Sequence, residues 1–255
     1  MDDIARNRLF MQCHFDEDGP QSDQDKGVTP PPLSKPQAGG LIELPPFDKG
    51  AGSAAYADLL DIRRSERVYA DIPMTGEQLA FMLWSCQGIQ RFRGANRMAS
   101  FRPAPSGGAR HPFELYVAVK NVEGLTPGMY RYAPLAHVGE KRAAIEFLGG
   151  IEDYEARITA MLMGQSWAAK APVVLFFSCV PYRAEWRYQD MAHRVMLIDL
   201  GHAGQNAMLS AAALGLGSCC MAAYDQALCD QALGLNGMDE YTVYAVSVGA
   251  VKPAG

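Results

Sequence analysis

Residues 199–220, DLGHAGQNAMLSAAALGLGSCC, lie in the middle of a long apolar stretch that decides the fold class. The stretch predicts a helix over about 190–216, buried in a large core. Four polar residues interrupt it: Asp199, His202, Gln205 and Asn206. These groups would be costly in lipid, so the pattern does not favour a membrane span. The helix is crowded with small residues that let another helix approach closely, and on a helix this long that neighbour could belong to a second subunit.

Strand and helix patterns occur on both sides of this helix. Runs rich in β-branched and aromatic residues predict strands over 114–119, 128–134, 173–180 and 241–251. Helical spacing predicts further helices over 55–64, 74–88, 152–167 and 226–233. The second of these opens with Thr75 and Gln78 at the spacing of a capping box. The strands do not alternate with crossover helices, so we predict an α+β domain.

Residues 1–50 differ from the rest of the chain because they are rich in Pro, Gly, Asp and Gln. We predict an extended N-terminal arm that lies on the body or is partly disordered, followed by one domain over 51–255. The apolar residues Leu41, Ile42 and Leu44 are candidates to anchor the arm.

The composition bounds the class of function. A net charge of −5 and a pI near 5.5 do not indicate a nucleic-acid surface. The N-terminus lacks the basic start, apolar run and small-residue cleavage site of a signal peptide. Six cysteines occur without a C-x-x-C pair, so reduced thiols in a cytoplasmic protein are the simplest interpretation.

Three short motifs are candidates for chemistry. RRSER at 63–67 offers three guanidiniums and a hydroxyl, which suit a phosphate dianion but also a solvated helix end. PSGGA at 105–109 has consecutive glycines that let the backbone approach a flat ligand, or that simply form a turn. GLGSCCMAAYD at 215–225 could present backbone N–H groups after a helix end, or continue directly into the core.

Other catalytic motifs do not occur in the sequence. It contains no Walker A sequence, no H-E-x-x-H and no G-x-S-x-G. GLGSCC at 215–220 lacks the last glycine of a dinucleotide-binding fingerprint and follows a helix, so a Rossmann turn is rejected. His193, Asp199 and His202 could share one helix face, and a metal hydrolase built on them is a rival interpretation. Helix-borne polar residues more often satisfy one another, so we predict no metal.

The joint order of the motifs is more specific than any motif alone. RRSERVYADIPMTGEQLAFMLWSCQGI (63–89), RPAPSGGARHPFELYV (102–117) and DLGHAGQNAMLSAAALGLGS (199–218) follow one another along the chain. With these blocks, the sequence from about Asp23 to Val251 resembles the SagB-type branch of the FMN-dependent nitroreductases. That branch is related to the thiazole/oxazole-forming peptide oxidases.

The resemblance implies a fold and a reaction. The family fold is an α+β sandwich, a mixed sheet flanked by helices, and long helices join two copies into an intertwined homodimer. FMN would bind in two equivalent clefts at the subunit interface. The implied activity passes two electrons, as hydride via flavin N5, from NAD(P)H to a small organic acceptor such as a nitro or quinone compound. The protein would supply binding, orientation and electrostatics.

The resemblance also implies which residues bind the flavin. Arg63, Arg64 and Ser65 would hold the phosphate and ribityl end. Arg67 would lie near the N1/O2 edge of the ring, where a fixed cation favours the reduced flavin. The other subunit would line the flavin with Pro105, Ser106, Gly107 and Gly108.

Three further assignments follow from the resemblance. Gln165 matches an amide side chain that hydrogen-bonds the flavin. The segment that places a backbone N–H against N5 would be Cys220, Met221, Ala222 and Ala223. Lys252 is a candidate second phosphate partner, with an ordinary solvated lysine as the equal alternative.

One departure from the branch bears on the substrate. Its peptide azoline oxidases carry a Lys-Tyr pair before the long helix, and the matching residues here are Arg187 and Tyr188. Arginine keeps its proton in proteins and is a poor general base, which leaves Tyr188 as the candidate catalytic residue. Two alternatives to the NAD(P)H-dependent reaction remain: oxidation of a peptide-derived azoline, and a flavin-binding partner protein without turnover.

Overall fold

A computed structural model of the chain describes residues 3–13 and 19–252. The helices in this part are α1 (Asp3–Phe10), α2 (Tyr56–Ile62), α3 (Gly76–Gln87), α4 (Tyr154–Met161), α5 (Tyr182–Tyr188), α6 (Ala192–Ala213) and α7 (Gln226–Leu233). The strands are β1 (Leu41–Glu43), β2 (Arg91–Arg93), β3 (Ala99–Phe101), β4 (Phe113–Val119), β5 (Gly128–Tyr132), β6 (Ala144–Gly149), β7 (Val173–Cys179), β8 (Gly217–Met221) and β9 (Tyr241–Gly249).

The main sheet has seven strands in the order β1-β6-β5-β4-β7-β9-β8, and β2 and β3 form a separate hairpin. Strands β4 and β7 are buried along their whole length, because one core cluster covers each face of the sheet. Helices α3 and α6 contribute to the first cluster, and α4 and α7 to the second. This burial on both faces explains the uninterrupted apolar run at 173–180. The predicted α+β class, with helices flanking the sheet, is confirmed.

The pairing of the strands differs from the expected mixed sheet. Every strand pair in the seven-stranded sheet is antiparallel. Among the described residues, parallel pairing is limited to the isolated bridges Ser65–Ser218 and Met74–Val122. Antiparallel neighbours need no long crossover connection, which agrees with the short links between β4, β5 and β6.

The long helix α6 spans Ala192–Ala213 rather than 190–216, because Gly215 adopts a positive φ of 70° and the chain turns away. Two of its small residues pack against other parts of the same chain. Gly204 packs against the sheet, where a methyl group would lie 2.8 Å from Tyr244 Cε1. Ser210 donates to the Ser85 hydroxyl of α3 at 2.7 Å. The close approach that these residues allow is therefore to α3 and the sheet of the same chain. None of the described helices is both long and apolar enough to span a bilayer.

The described part of the N-terminal segment lies along the body of the protein. As expected, Leu44 is buried and Leu41–Glu43 pair with β6. Three guanidiniums beneath the segment donate to its carbonyl oxygens: Arg110 to Pro31 at 3.0 Å, Arg102 to Leu33 at 2.7 Å and Arg131 to Pro36 at 2.8 Å. The expectation of an extended arm is wrong for Asp3–Phe10, which form α1.

A buried ion pair joins this segment to the sheet. Arg183 of α5 donates to Glu114 of β4 at 2.5 Å, and both side chains are at most 3% exposed. The backbone N–H of Lys35 donates to the same carboxylate at 2.7 Å. Burial by itself would raise the pKa of Glu114, but Arg183 and the surrounding donors bring it below its ordinary value of 4.5.

Candidate functional site

The RRSER motif lies beside the edge strand of the sheet. Helix α2 ends at Ile62, and the chain then runs along β8. Ser65 forms a bridge with Ser218, and the N–H of Glu66 donates to the Ser218 carbonyl at 3.0 Å. The Ser65 and Arg67 side chains lie beside the Cys219 thiol. Two of the three predicted motifs, RRSER and GLGSCC, therefore meet in one place.

The arginines of this place have no carboxylate partner among the described residues. Arg64 donates only to the Arg63 carbonyl, at 2.8 Å, and Arg67 stacks over the Trp167 ring at 5.6 Å. A cavity of about 180 Å³ lies against Arg63 and Arg64. Gly215–Ser218 and Val251 line its other walls together with Glu66, the acidic residue of the motif. We call Arg63–Arg67 together with Gly215–Ser218 the arginine site. Unpaired guanidiniums beside a glycine-rich backbone are a donor set that suits a phosphate.

The predicted contact segment Cys220–Ala223 begins inside β8 and continues beyond its end. Cys220 is half-buried, and burial raises its pKa to about 11, so it is a protonated thiol at neutral pH. Met221 is buried, whereas Ala222 and Ala223 are exposed. The Gln165 amide donates to the Ala223 carbonyl at 2.9 Å, so these two predicted residues meet.

Lys252 lies close to the arginine site through its backbone. Its N–H donates to the Val68 carbonyl at 3.3 Å, and the preceding residue, Val251, lines the arginine-site cavity. Its side chain is exposed. This placement is compatible with both alternatives for Lys252, a phosphate partner or a solvated lysine.

The second motif lies elsewhere in the protomer. We call Pro105–Gly108 the glycine loop. The Ser106 hydroxyl donates to Asp199 Oδ2 at 2.6 Å, and the Gly107 N–H donates to the same carboxylate at 3.0 Å. The loop packs tightly on α5 and α6, because a methyl group on Gly107 would lie 2.5 Å from Val195 Cγ1. The Tyr188 hydroxyl would lie 3.0 Å from a methyl group on Gly108. The candidate catalytic tyrosine therefore lies directly against the glycine loop.

Helix α6 separates the glycine loop from the arginine site. The loop is held at Asp199, whereas Met208 and Ala212 of the same helix line the arginine-site cavity. A helix rises about 1.5 Å per residue, so the stretch from Asp199 to Ala212 is about 20 Å long. The single chain therefore brings together the first and third motifs, but not the second.

The residues of the rival metal site do not converge. The Asp199 carboxylate accepts from the glycine loop, and His193 Nε2 lies 3.1 Å from Glu185 Oε1. His202 is exposed on α6. Within residues 3–13 and 19–252, no group of three or more His, Cys, Asp or Glu residues is placed to hold a metal ion.

Two contacts of the site were not predicted from the sequence. Trp167 stacks with Arg67, and Asp199 holds the glycine loop. The sequence did single out Asp199, but as a metal ligand. The usable signal was a carboxylate within an otherwise apolar helix, which requires a hydrogen-bonding partner when it is buried.

Replacing Gly107 by alanine is expected to lower the free energy of unfolding by about 1–3 kcal/mol, because the added methyl group overpacks the contact with Val195. Denaturant unfolding measures the change. Gly40→Ala is the matched control, since nothing lies within 4 Å of a methyl group there. Equal stability of Gly107→Ala and Gly40→Ala would show that the loop can move aside.

Comparison with known proteins identifies the family of this chain. The profile of the Nitroreductase family matches residues 60–250. A Methanocaldococcus jannaschii protein whose name places it among the nitroreductases, MJ1384, is 33% identical over 183 residues, 72% of this chain and 84% of its own length. The trifolitoxin-processing protein TfxB of Rhizobium leguminosarum bv. trifolii is 32% identical over 117 residues, 45% of this chain and 30% of its own length.

A solved structure supports the fold. One chain of the Escherichia coli microcin synthetase McbBCD complex with truncated pro-MccB17 superposes with a TM-score of 0.58 at 20% identity. The match covers 96% of this chain and 87% of that chain, so it extends into the N-terminal segment. The chain therefore belongs to the nitroreductase family of oxidoreductases, and its similarity to TfxB agrees with the SagB-type branch that its sequence resembles.

Proposed function

We propose that the protein is an FMN-dependent oxidoreductase that passes two electrons from NAD(P)H to a small organic acceptor such as a nitro or quinone compound. The arginine site is the observation that carries the proposal. It joins three guanidiniums that have no described carboxylate partner to the glycine-rich start of β8, a strand that the exposed Ala222 and Ala223 follow. Membership of the nitroreductase family supports the same class of cofactor.

The donor set of the arginine site fits FMN. Arg63, Arg64 and Ser65 would hold the phosphate, and the exposed Lys252 is placed to add a fourth donor. Arg67, held in place by Trp167, would face the ring edge where negative charge develops on reduction. Bound FMN supplies the hydride chemistry at N5, and the backbone after Met221 would contact that atom.

The proposed cleft needs a second copy of the chain. The glycine loop is held at Asp199, whereas Met208 and Ala212, which line the arginine-site cavity, lie about 14–20 Å further along α6 of the same protomer. Exposed apolar residues support an interface: Leu197 and Ile198 on α6, and Tyr56, Leu60 and Ile62 on α2. We propose a homodimer in which the glycine loop of one subunit completes the arginine site of the other.

A second candidate function is oxidation of a peptide-derived azoline. Two observations favour it: the similarity to TfxB, and the Tyr188 hydroxyl directly against the glycine loop. Against it, Arg187 replaces the lysine of the branch, and its guanidinium donates to Gln24 at 2.9 Å. Tyr188 would then have to remove the proton without a neighbouring lysine.

A visible spectrum tests the proposal. The purified protein is expected to be yellow, to release FMN and not FAD on denaturation, and to bleach when NADH or NADPH is added without oxygen. Colourless protein that cannot be reconstituted with FMN would contradict the proposal.

Two other outcomes would favour an alternative function, and a third would exclude the shared cleft. Bound FMN that is reduced by an azoline peptide, but by neither nicotinamide, would favour the second candidate. Bound FMN that no donor reduces would favour a partner protein without turnover. A monomer that binds FMN tightly would exclude the shared cleft.

A further inference from the structure

We propose that Asp199 is a positioning residue that fixes the glycine loop in the conformation needed to line the flavin. This inference rests on the proposed function, because it assumes that the loop faces FMN. The family resemblance assigns no role to Asp199. Its carboxylate holds the loop through one side-chain and one backbone contact.

The contacts of Asp199 leave the loop little freedom. The Ser106 hydroxyl donates to Oδ2 at 2.6 Å, and the Gly107 N–H lies 3.0 Å from the same atom. The Ser106 hydroxyl also accepts from the His111 N–H at 2.9 Å, which ties the far end of the loop to the same point. Val195 and Tyr188 close the other side of the loop by direct packing. Charged acceptors form the stronger hydrogen bonds of proteins, so the carboxylate dominates this arrangement.

The negative charge of Asp199 by itself reduces the stability of the folded protein. The residue is 5% exposed and forms an ion pair with none of the described cations. His202 lowers the pKa of Asp199 electrostatically. Burial raises its pKa, although the loop donors oppose this shift. A raised carboxyl pKa in the folded state means that ionisation at neutral pH reduces stability. A neutral amide of the same shape would avoid that penalty but would hold the Ser106 hydroxyl and the Gly107 N–H through weaker, uncharged hydrogen bonds.

Helix α6 explains what the carboxylate does. Its first half carries Asp199 and thereby the glycine loop, and its second half carries Met208 and Ala212 of the arginine site. One rigid helix therefore fixes both halves of the proposed cleft, and two copies of it set how the loop of one subunit meets the arginine site of the other. Loss of the Asp199 contacts would leave the arginine site intact but misplace the loop.

The test is Asp199→Asn, with Asp230→Asn as the matched control. Asp230 is 6% exposed and accepts from the N–H and the hydroxyl of Thr242. It belongs to α7, whereas the glycine loop packs on α5 and α6. We expect Asp199→Asn to weaken FMN binding by about 10-fold and to shift the visible absorption of bound FMN, while the melting temperature stays equal or rises. We expect Asp230→Asn to lower the melting temperature and to leave the spectrum of bound FMN unchanged.

A milder variant, Ser106→Ala, shows whether the effect passes through the loop. It removes the 2.6 Å contact and keeps the carboxylate. If Asp199 acts through Ser106, the double variant binds FMN about as weakly as Asp199→Asn alone, not by the product of the two single effects. An FMN affinity and spectrum of Asp199→Asn that equal those of the wild type would overturn this inference and leave the proposed function standing. Failure of the wild type to bind FMN would overturn both.

Discussion

Arg183→Met is expected to lower the free energy of unfolding by about 3–5 kcal/mol, because it breaks a buried ion pair. The substitution keeps a long, helix-compatible side chain in α5 but leaves Glu114 as a buried charge without its ion-pair partner. Denaturant unfolding at neutral pH measures the loss. Arg93→Met, at an exposed position of β2, is the matched control and should change stability by no more than about 0.5 kcal/mol.

The pH dependence of this loss has a defined sign. In the wild type, the Glu114 pKa lies below its ordinary value of 4.5, so the stabilisation is present above that pH and disappears as pH falls. In Arg183→Met the counter-charge is gone, and burial raises the pKa instead. The stability gap between the two proteins should therefore narrow as pH falls, first above pH 4.5 as the variant's Glu114 takes up a proton, and then below pH 4.5 as the wild type loses its stabilisation. A gap that stays constant down to pH 3, or a neutral-pH loss under about 1 kcal/mol, would mean that the carboxylate is not buried and ionised as described.

Arg63→Ala is expected to weaken FMN binding by about 10- to 100-fold, because it removes a charge-assisted contact to the phosphate worth about 1.5–3 kcal/mol. Arg63 is half-buried at the end of α2, whereas Arg64 is exposed. Fluorescence titration of the apoprotein with FMN measures the change.

Two comparisons sharpen this test. Arg93→Ala removes an exposed arginine away from the arginine site and should leave the FMN affinity unchanged. Riboflavin lacks the phosphate, so its affinity should be nearly the same for wild type and Arg63→Ala. An equal loss for FMN and riboflavin would place Arg63 at the ring and not at the phosphate.

Elements whose signals are local could be predicted from the sequence. Helix α3 begins where the Thr75–Gln78 spacing places it, and both capping-box hydrogen bonds form, at 3.0 and 3.1 Å. Helix α7 spans Gln226–Leu233 as predicted. Strand β6, in contrast, was not predicted, and its second half is partly exposed. It exists through its pairing with β1 and β5, which local propensity does not contain.

In the candidate site, too, local sequence signals could be predicted, whereas contacts between distant residues could not. The residue types of RRSER alone favoured a solvated helix end over phosphate binding, because nothing in them shows that Ser65 lies beside Ser218. The anchor of the glycine loop was missed because Ser106 and Asp199 are 93 positions apart. Hydrophobic periodicity places Asp199 on a buried helix, but it does not say which loop supplies the donors.

The N-terminal segment is held by its main chain, and this has a consequence for how its sequence can evolve. Arg102, Arg110 and Arg131 bind carbonyl oxygens, which every amino acid possesses. A point substitution at Pro31 or Pro36 keeps the acceptor, whereas inserting or deleting one residue between them displaces it from its guanidinium. Related chains should therefore tolerate drift in the letters of this stretch while conserving its spacing.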